Sequence, residues 1–136
     1  MKVALCTRKV PLHKVPLISI IDDDASVRSA VSRLVRATGY LAHAFSSAAD
    51  FLNSQHLGET SCVIADVQMP GMSGIELQNL LHSRGHSVPM IFITAFPDEN
   101  ARVQAIKAGA VAFLSKPFDS TTLVDSIESA LRKVGG

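Results

Sequence analysis

Residues 18–28 read ISIIDDDASVR: an apolar run that stops at three consecutive aspartates, Asp22, Asp23 and Asp24, and then passes into a helix-period stretch. A buried strand thus runs straight into a helix. The run LISII (17–21) has the length and branching of a buried strand. From Ala25 to Thr38 the residues Val27, Ala30, Val31, Leu34 and Val35 fall on one helical face, and Gly39 ends it. The carboxylates raise a second question. Two unit charges about 4 Å apart at an effective dielectric near 20 repel by roughly 4 kcal/mol, so a strand that delivers such a cluster to one point needs something there to offset the repulsion.

The same strand-then-helix unit recurs along the chain. YLAHAF (40–45) is the second strand, and Ser46 or Ser47 caps a helix whose apolar positions are Ala48, Phe51 and Leu52. CVIAD (62–66) is the third, followed by the breaker loop MPGMSG and by Ile75, Leu77, Leu80 and Leu81 at helical spacing up to Gly85. PMIFIT (89–94) is almost wholly apolar, as a strand buried on both faces should be, and the helix after it runs to Gly109. AVAFLS (110–115) is the fifth strand, with Leu123, Val124, Ile127 and Leu131 marking the last helix. A parallel strand cannot be reached by a tight turn, so this alternation predicts a doubly wound α/β fold with a five-stranded parallel sheet and right-handed crossovers.

Composition narrows the function classes. The chain has 136 residues, 47% of them hydrophobic, which suffices for one globular domain and not for two ordinary ones. With 18% charged residues and a formal net charge of +1, nothing in the balance advertises a nucleic-acid or membrane partner. Cys6 and Cys62 show no metal or redox spacing. Cys62, inside SCVIADV, reads as a buried reduced thiol, which fits a cytoplasmic protein. Residues 1–16, MKVALCTRKVPLHKVP, carry Lys2, Arg8, Lys9 and Lys14 without an acid, and charges and prolines interrupt any signal-peptide core. They are expected to form a poorly ordered basic leader.

In open parallel sheets the chemistry lies beyond the carboxyl ends of the strands. There the sequence places Asp22 to Asp24, Phe45, Asp66, Thr94 and Lys116. Each alone has a plain structural reading: Asp24 as a helix cap, Asp66 as a turn residue, Thr94 as an end-of-strand hydroxyl, Lys116 as a solvated charge. Together they converge on one edge of one sheet. Magnesium binds through one or two carboxylates while keeping several waters, and Asp22, Asp23 and Asp66 supply such a set. A bound cation turns the repulsion among them into attraction. The histidines are scattered, and neither a G-x-x-x-x-G-K-[ST] loop nor a G-x-G-x-x-G fingerprint is present, so an enzyme with a small-molecule pocket is disfavoured. A metal-bound carboxylate with a hydroxyl and an ammonium nearby is equipment for accepting a phosphoryl group.

The blocks IIDDD, VIADVQMPGMSGIEL, IFITAF and FLSKPF resemble, in order and spacing, the signature of the receiver domain of two-component response regulators, most closely its FixJ-like subgroup. The resemblance covers residues 17–134 and implies a flavodoxin/CheY-like sheet of order 2-1-3-4-5. It makes Asp66 the phosphoacceptor for a sensor histidine kinase, Asp23 a direct magnesium ligand, Asp22 a ligand largely through water, and the backbone carbonyl of Gln68 a further one, with manganese a substitute for magnesium. Thr94 and Phe113 correspond to the switch pair and Lys116 to the lysine that pairs with the phosphoryl group. Lys116-Pro117 matches a bond that is often cis in the family. A homodimer formed on phosphorylation is an implied partner, with transcription controlled in the full-length regulator and no direct nucleic-acid or membrane contact by this domain.

Two other readings stand beside it. One is a pseudo-receiver, a binding module that uses the fold without phosphorylation. The other, a phosphohydrolase with an aspartate nucleophile, wants D-x-D-x-[TV], whereas DDDAS ends in serine and would leave Asp66 idle. The chain ends at ALRKVGG with no room for a recognition helix, so no output domain is expected within it. Phenylalanine at 113, where many members have tyrosine, removes any hydrogen bond that tyrosine would make. Gln68 and Phe96 fall at two variable positions that tune phosphoryl hydrolysis in the family. Shielding by Phe96 predicts faster dephosphorylation in Phe96→Ala, followed as decay of the phosphorylated mass; an unchanged rate removes that role.

Overall fold

The computed structural model describes residues 15–135, with side chains through Arg132. The expectation of a loose leader therefore falls largely outside the described residues. Among the described residues five strands and five helices alternate: β1 Leu17–Ile21, α1 Ala25–Ala37, β2 Leu41–Phe45, α2 Ala48–Leu52, β3 Thr60–Asp66, α3 Gly74–Ser83, β4 Met90–Thr94, α4 Glu99–Lys107, β5 Ala112–Ser115 and α5 Ser120–Gly135, with a 3-10 turn at Leu57–Glu59 before β3. All pairings are parallel and the order is β2-β1-β3-β4-β5, the 2-1-3-4-5 arrangement that the resemblance implied.

Helices cover both faces of the sheet and divide the core in two. Ile21, Val63, Ala65 and Phe92 pack with Phe51 of α2, Leu77 and Leu81 of α3 and Ala105 of α4. Ile18, Ile20, Ile64, Ile91 and Ile93 pack with Val31 and Val35 of α1 and Leu123, Ile127 and Ala130 of α5. The central strands β1 and β4 are buried along their whole length, as their continuous apolar runs require. One detail of the α1 periodicity differs: Ala30 is exposed and Ser32 is buried, its hydroxyl without a hydrogen-bond partner. Cys62 is a fully buried free thiol, and burial pushes its pKa up to about 12, so it stays protonated and inert.

Caps fix where each helix begins, and so where each strand ends. Asp24 caps α1, accepting from the Ser26 and Val27 N–H groups; Ser47 caps α2; Asp98 caps α4. At α3, Ser73 and Glu76 form a reciprocal capping box, with the Ser73 N–H donating to Glu76 Oε1 at 2.9 Å and the Glu76 N–H to Ser73 Oγ at 3.1 Å. The α1, α3 and α4 ends are followed by Gly39, Gly85 and Gly109 at positive φ.

Gly74 matters for a different reason. A β-carbon there would stand 2.5 Å from the Asp66 carbonyl oxygen and 3.0 Å from Phe92 Cε1, while the Gly74 N–H donates to the Val67 carbonyl at 3.0 Å. The first turn of α3 thus lies directly against the end of β3, and only glycine permits it. Gly74→Ala is expected to lose about 1–3 kcal/mol, the usual cost of overpacking a core, in chemical denaturation; a midpoint equal to wild type would show that the turn has slack.

Candidate functional site

Sheet hydrogen bonds carry the strand ends to one edge. The Asp22 N–H donates to the Phe45 carbonyl at 3.1 Å, the Val67 N–H to Ile93 at 3.1 Å and the Lys116 N–H to Thr94 at 2.7 Å. Asp22, Asp66, Thr94 and Lys116 therefore leave the sheet at one level. At its centre Lys116 Nζ donates to Asp22 Oδ2 and to Asp66 Oδ2, both at 3.0 Å. The remaining oxygens are held by backbone: Asp22 Oδ1 accepts from the Asp24 N–H at 2.9 Å and Asp66 Oδ1 from the Gln68 N–H at 3.0 Å. Arg28, one turn into α1, donates through Nη1 to the Asp22 carbonyl at 2.7 Å.

Asp22 is wholly buried and Asp66 nearly so, while Asp23 is exposed. Each of the three offers an oxygen, and these oxygens lie within 4.8 Å of one another. The donor set is all hard oxygen with one open side, which fits magnesium or manganese and would not suit a soft metal. Burial raises the Asp22 pKa; the hydrogen bonds from the Asp24 N–H and Lys116 pull the other way without winning. Burial also tends to lower the Lys116 pKa, yet the hydrogen bonds to Asp66 and Asp22 outweigh it and the ammonium is held above its ordinary value.

The other expected residues fall around this core. Thr94 is buried at the end of β4, its Oγ1 accepting from the Phe96 N–H at 3.1 Å. Phe113 on β5 is partly buried, its ring 6.3 Å from that of Phe92 at a 52° tilt. Gln68 is exposed just after Asp66. Phe96, expected to shade the site, is 69% exposed. The Lys116–Pro117 bond is cis, as the resemblance implied. Sequence reasoning missed Gly74 and Arg28. The glycine was readable within MPGMSG only as a breaker, and a long basic side chain reaching back to a carbonyl six residues away leaves no pattern.

The raised Asp22 pKa has a consequence for stability. The folded protein holds this proton more tightly than the unfolded chain, whose value is near 3.8, so stability falls as pH rises from there through the folded value. At neutral pH the ionised carboxylate is then a cost when no cation is bound. Asp22→Asn keeps an acceptor for the Asp24 N–H and removes the charge. With a chelator present it is expected to flatten that pH slope and raise Tm at pH 7, read at roughly 4 °C per kcal/mol for a domain of this size. A lower Tm with the slope retained would contradict the assignment.

Residues 18–128 match the family model of the response regulator receiver domain. The response regulator protein TodT of Pseudomonas putida is 45% identical over 116 residues, 85% of this chain and 51% of its own length. The transcriptional regulatory protein FixJ of Azorhizobium caulinodans is 36% identical over 114 residues, 84% of this chain and 54% of its own. The chain thus spans about half the length of the curated relatives it matches. Among solved structures, the response regulator StyR aligns with a TM-score of 0.81 and 41% identity over 88% of this chain and 60% of its own. FixJ-N aligns with a TM-score of 0.78 and 32% identity over 88% and 95%. With its sheet order, its strand-end carboxylates and these relatives in agreement, the chain belongs to the response regulator receiver domain family and is FixJ-like within it.

Proposed function

We propose that Asp66 is the phosphoacceptor of this receiver and that the chain is a signalling switch set by a sensor histidine kinase. The observation that carries the reading is the Lys116 ammonium held 3.0 Å from both Asp66 and Asp22, with Asp23 close enough to complete an oxygen cluster. A carboxylate oxygen of Asp66 attacks the phosphorus of a kinase phosphohistidine; a P–O bond forms, the P–N bond breaks, and its electron pair stays on the imidazole nitrogen. Asp22, Asp23, Asp66 and the Gln68 carbonyl would hold magnesium or manganese, which would neutralise the phosphoryl oxygens electrostatically. Lys116 provides the second positive charge. It is already fixed by two carboxylates, so little reorganisation is needed when the phosphoryl group arrives.

Thr94 donates its hydroxyl to the new phosphoryl oxygens, and Phe113 follows it by changing how its ring packs against Phe92. The aspartyl phosphate thereby shifts a two-state equilibrium toward a partner-binding form, a homodimer among the outcomes. In a longer regulator that equilibrium controls transcription, with the receiver itself touching neither nucleic acid nor membrane. Among the described residues no helix is long and apolar enough to cross a membrane, and a free buried thiol suits a reducing cytoplasm.

Acetyl-phosphate labelling with and without magnesium, read by intact mass, tests this directly. The expected result is a magnesium-dependent gain of one phosphoryl group that Asp66→Asn abolishes. Full labelling of Asp66→Asn would reject the assignment, and no gain in the wild-type chain would make it a pseudo-receiver.

A further inference from the structure

Helix α4 is weakly attached. Of its nine residues, Ala105 alone is buried, and Val103 and Ile106 are exposed at 38% and 42%. Its ion pair, Glu99 with Arg102, is internal to the helix and solvent-facing. Among the described residues, one side-chain hydrogen bond links α4 to another element: Gln78 of α3 donates through Nε2 to the Ala105 carbonyl at 3.1 Å. That carbonyl also accepts from the Ala110 N–H at 2.9 Å, so the amide fastens the point where α4 ends and the chain turns toward β5.

Gln78 is costly to bury. It is 2% exposed, and its Oε1 has no donor. An apolar side chain of the same volume would fill the space without leaving a buried acceptor unpaired, so packing does not call for an amide here. Gln78 also stands one helical turn after Gly74, on the same face of α3. Gly74 has no clearance against the Asp66 carbonyl, as the 2.5 Å approach of a β-carbon shows. A shift of the Asp66 backbone therefore displaces the first turn of α3, and the helix carries that displacement to Gln78 as a rigid body.

We propose that Gln78 is a positioning residue that ties α4 to α3, so that events at Asp66 are transmitted through Gly74 and Gln78 to α4. This rests on Asp66 being the phosphoacceptor. The test is amide hydrogen exchange of residues 99–108 in wild type, Gln78→Met and Gln78→Leu, before and after acetyl-phosphate treatment with magnesium, with labelling followed by mass in the same samples. Both variants keep the volume and remove the amide, so each is expected to fold with a Tm close to wild type.

The expected result is exchange across α4 about fivefold faster in the untreated variants, the factor given by losing one ordinary hydrogen bond. The change in α4 exchange on phosphorylation should shrink while labelling at Asp66 is retained. Labelled variants whose α4 exchanges and responds as in wild type would overturn the role of Gln78 alone. A wild-type chain that takes no label would instead reject the phosphoacceptor reading and the transmission with it.

Discussion

Two largely buried carboxylates share one ammonium, and the arrangement of the domain follows from keeping them together. Asp22 and Asp66 end adjacent strands of a parallel sheet, which points both groups out of the same edge. Lys116 comes from the far side of that sheet, 94 residues after Asp22 and 50 after Asp66, so the ion pairs exist only once β5 has docked. A single positive charge cannot fully compensate two negative ones. Burial is the main reason that the Asp22 pKa is raised, the neighbouring Asp66 charge adds to it, and a divalent cation would offset both. Function and stability therefore pull in opposite directions at this point.

The rest of the fold acts as a frame that holds the imbalance still. The apolar layers on the two faces fix strand register to the residue, and a slip of one position would turn Asp22 or Asp66 from the edge into a face. Backbone N–H groups from Asp24 and Gln68 take the outer carboxylate oxygens, while Arg28 secures the Asp22 carbonyl from α1. These contacts come from the chain just after each strand. The Asp24 cap illustrates the economy: the backbone of the same residue donates to Asp22 while its side chain starts α1.

Much of this was legible in the sequence because it is local. β1 matched LISII at both ends, and the other strands kept their place with a start shifted by one or two residues, where Pro89 and the glycine-ended turns leave the ladder boundary to geometry. Asp66, Thr94 and Lys116 could be placed at strand ends from the alternation alone. What the sequence withheld was contact between distant residues. The sharing of Lys116 and the Gly74 approach to Asp66 have no periodicity to read. Ser32 took a buried place that the apolar pattern gave to Ala30, because the α1 face meeting the sheet is rotated slightly from the one that hydrophobicity alone picks out. The Ser73–Glu76 box, by contrast, was readable as S-x-x-E ahead of an apolar run and lay hidden inside the breaker loop.

The uneven anchoring of the helices bears on how a charge change at the sheet edge becomes a change of shape. α1 and α5 lay strong apolar faces on the sheet, with Val31, Val35, Leu123, Ile127 and Ala130 inside. α4 offers Ala105 and little else. Local opening free energy scales with buried apolar contact, so α4 has the least to lose by moving, and a modest differential interaction at the site suffices to redistribute its positions. A two-state element must also be connected to what biases it, and a helix bound only by an alanine would drift independently of Asp66. The buried amide of Gln78 meets that requirement at the cost of an unpaired acceptor, coupling a loosely held helix to the turn that lies against the Asp66 carbonyl.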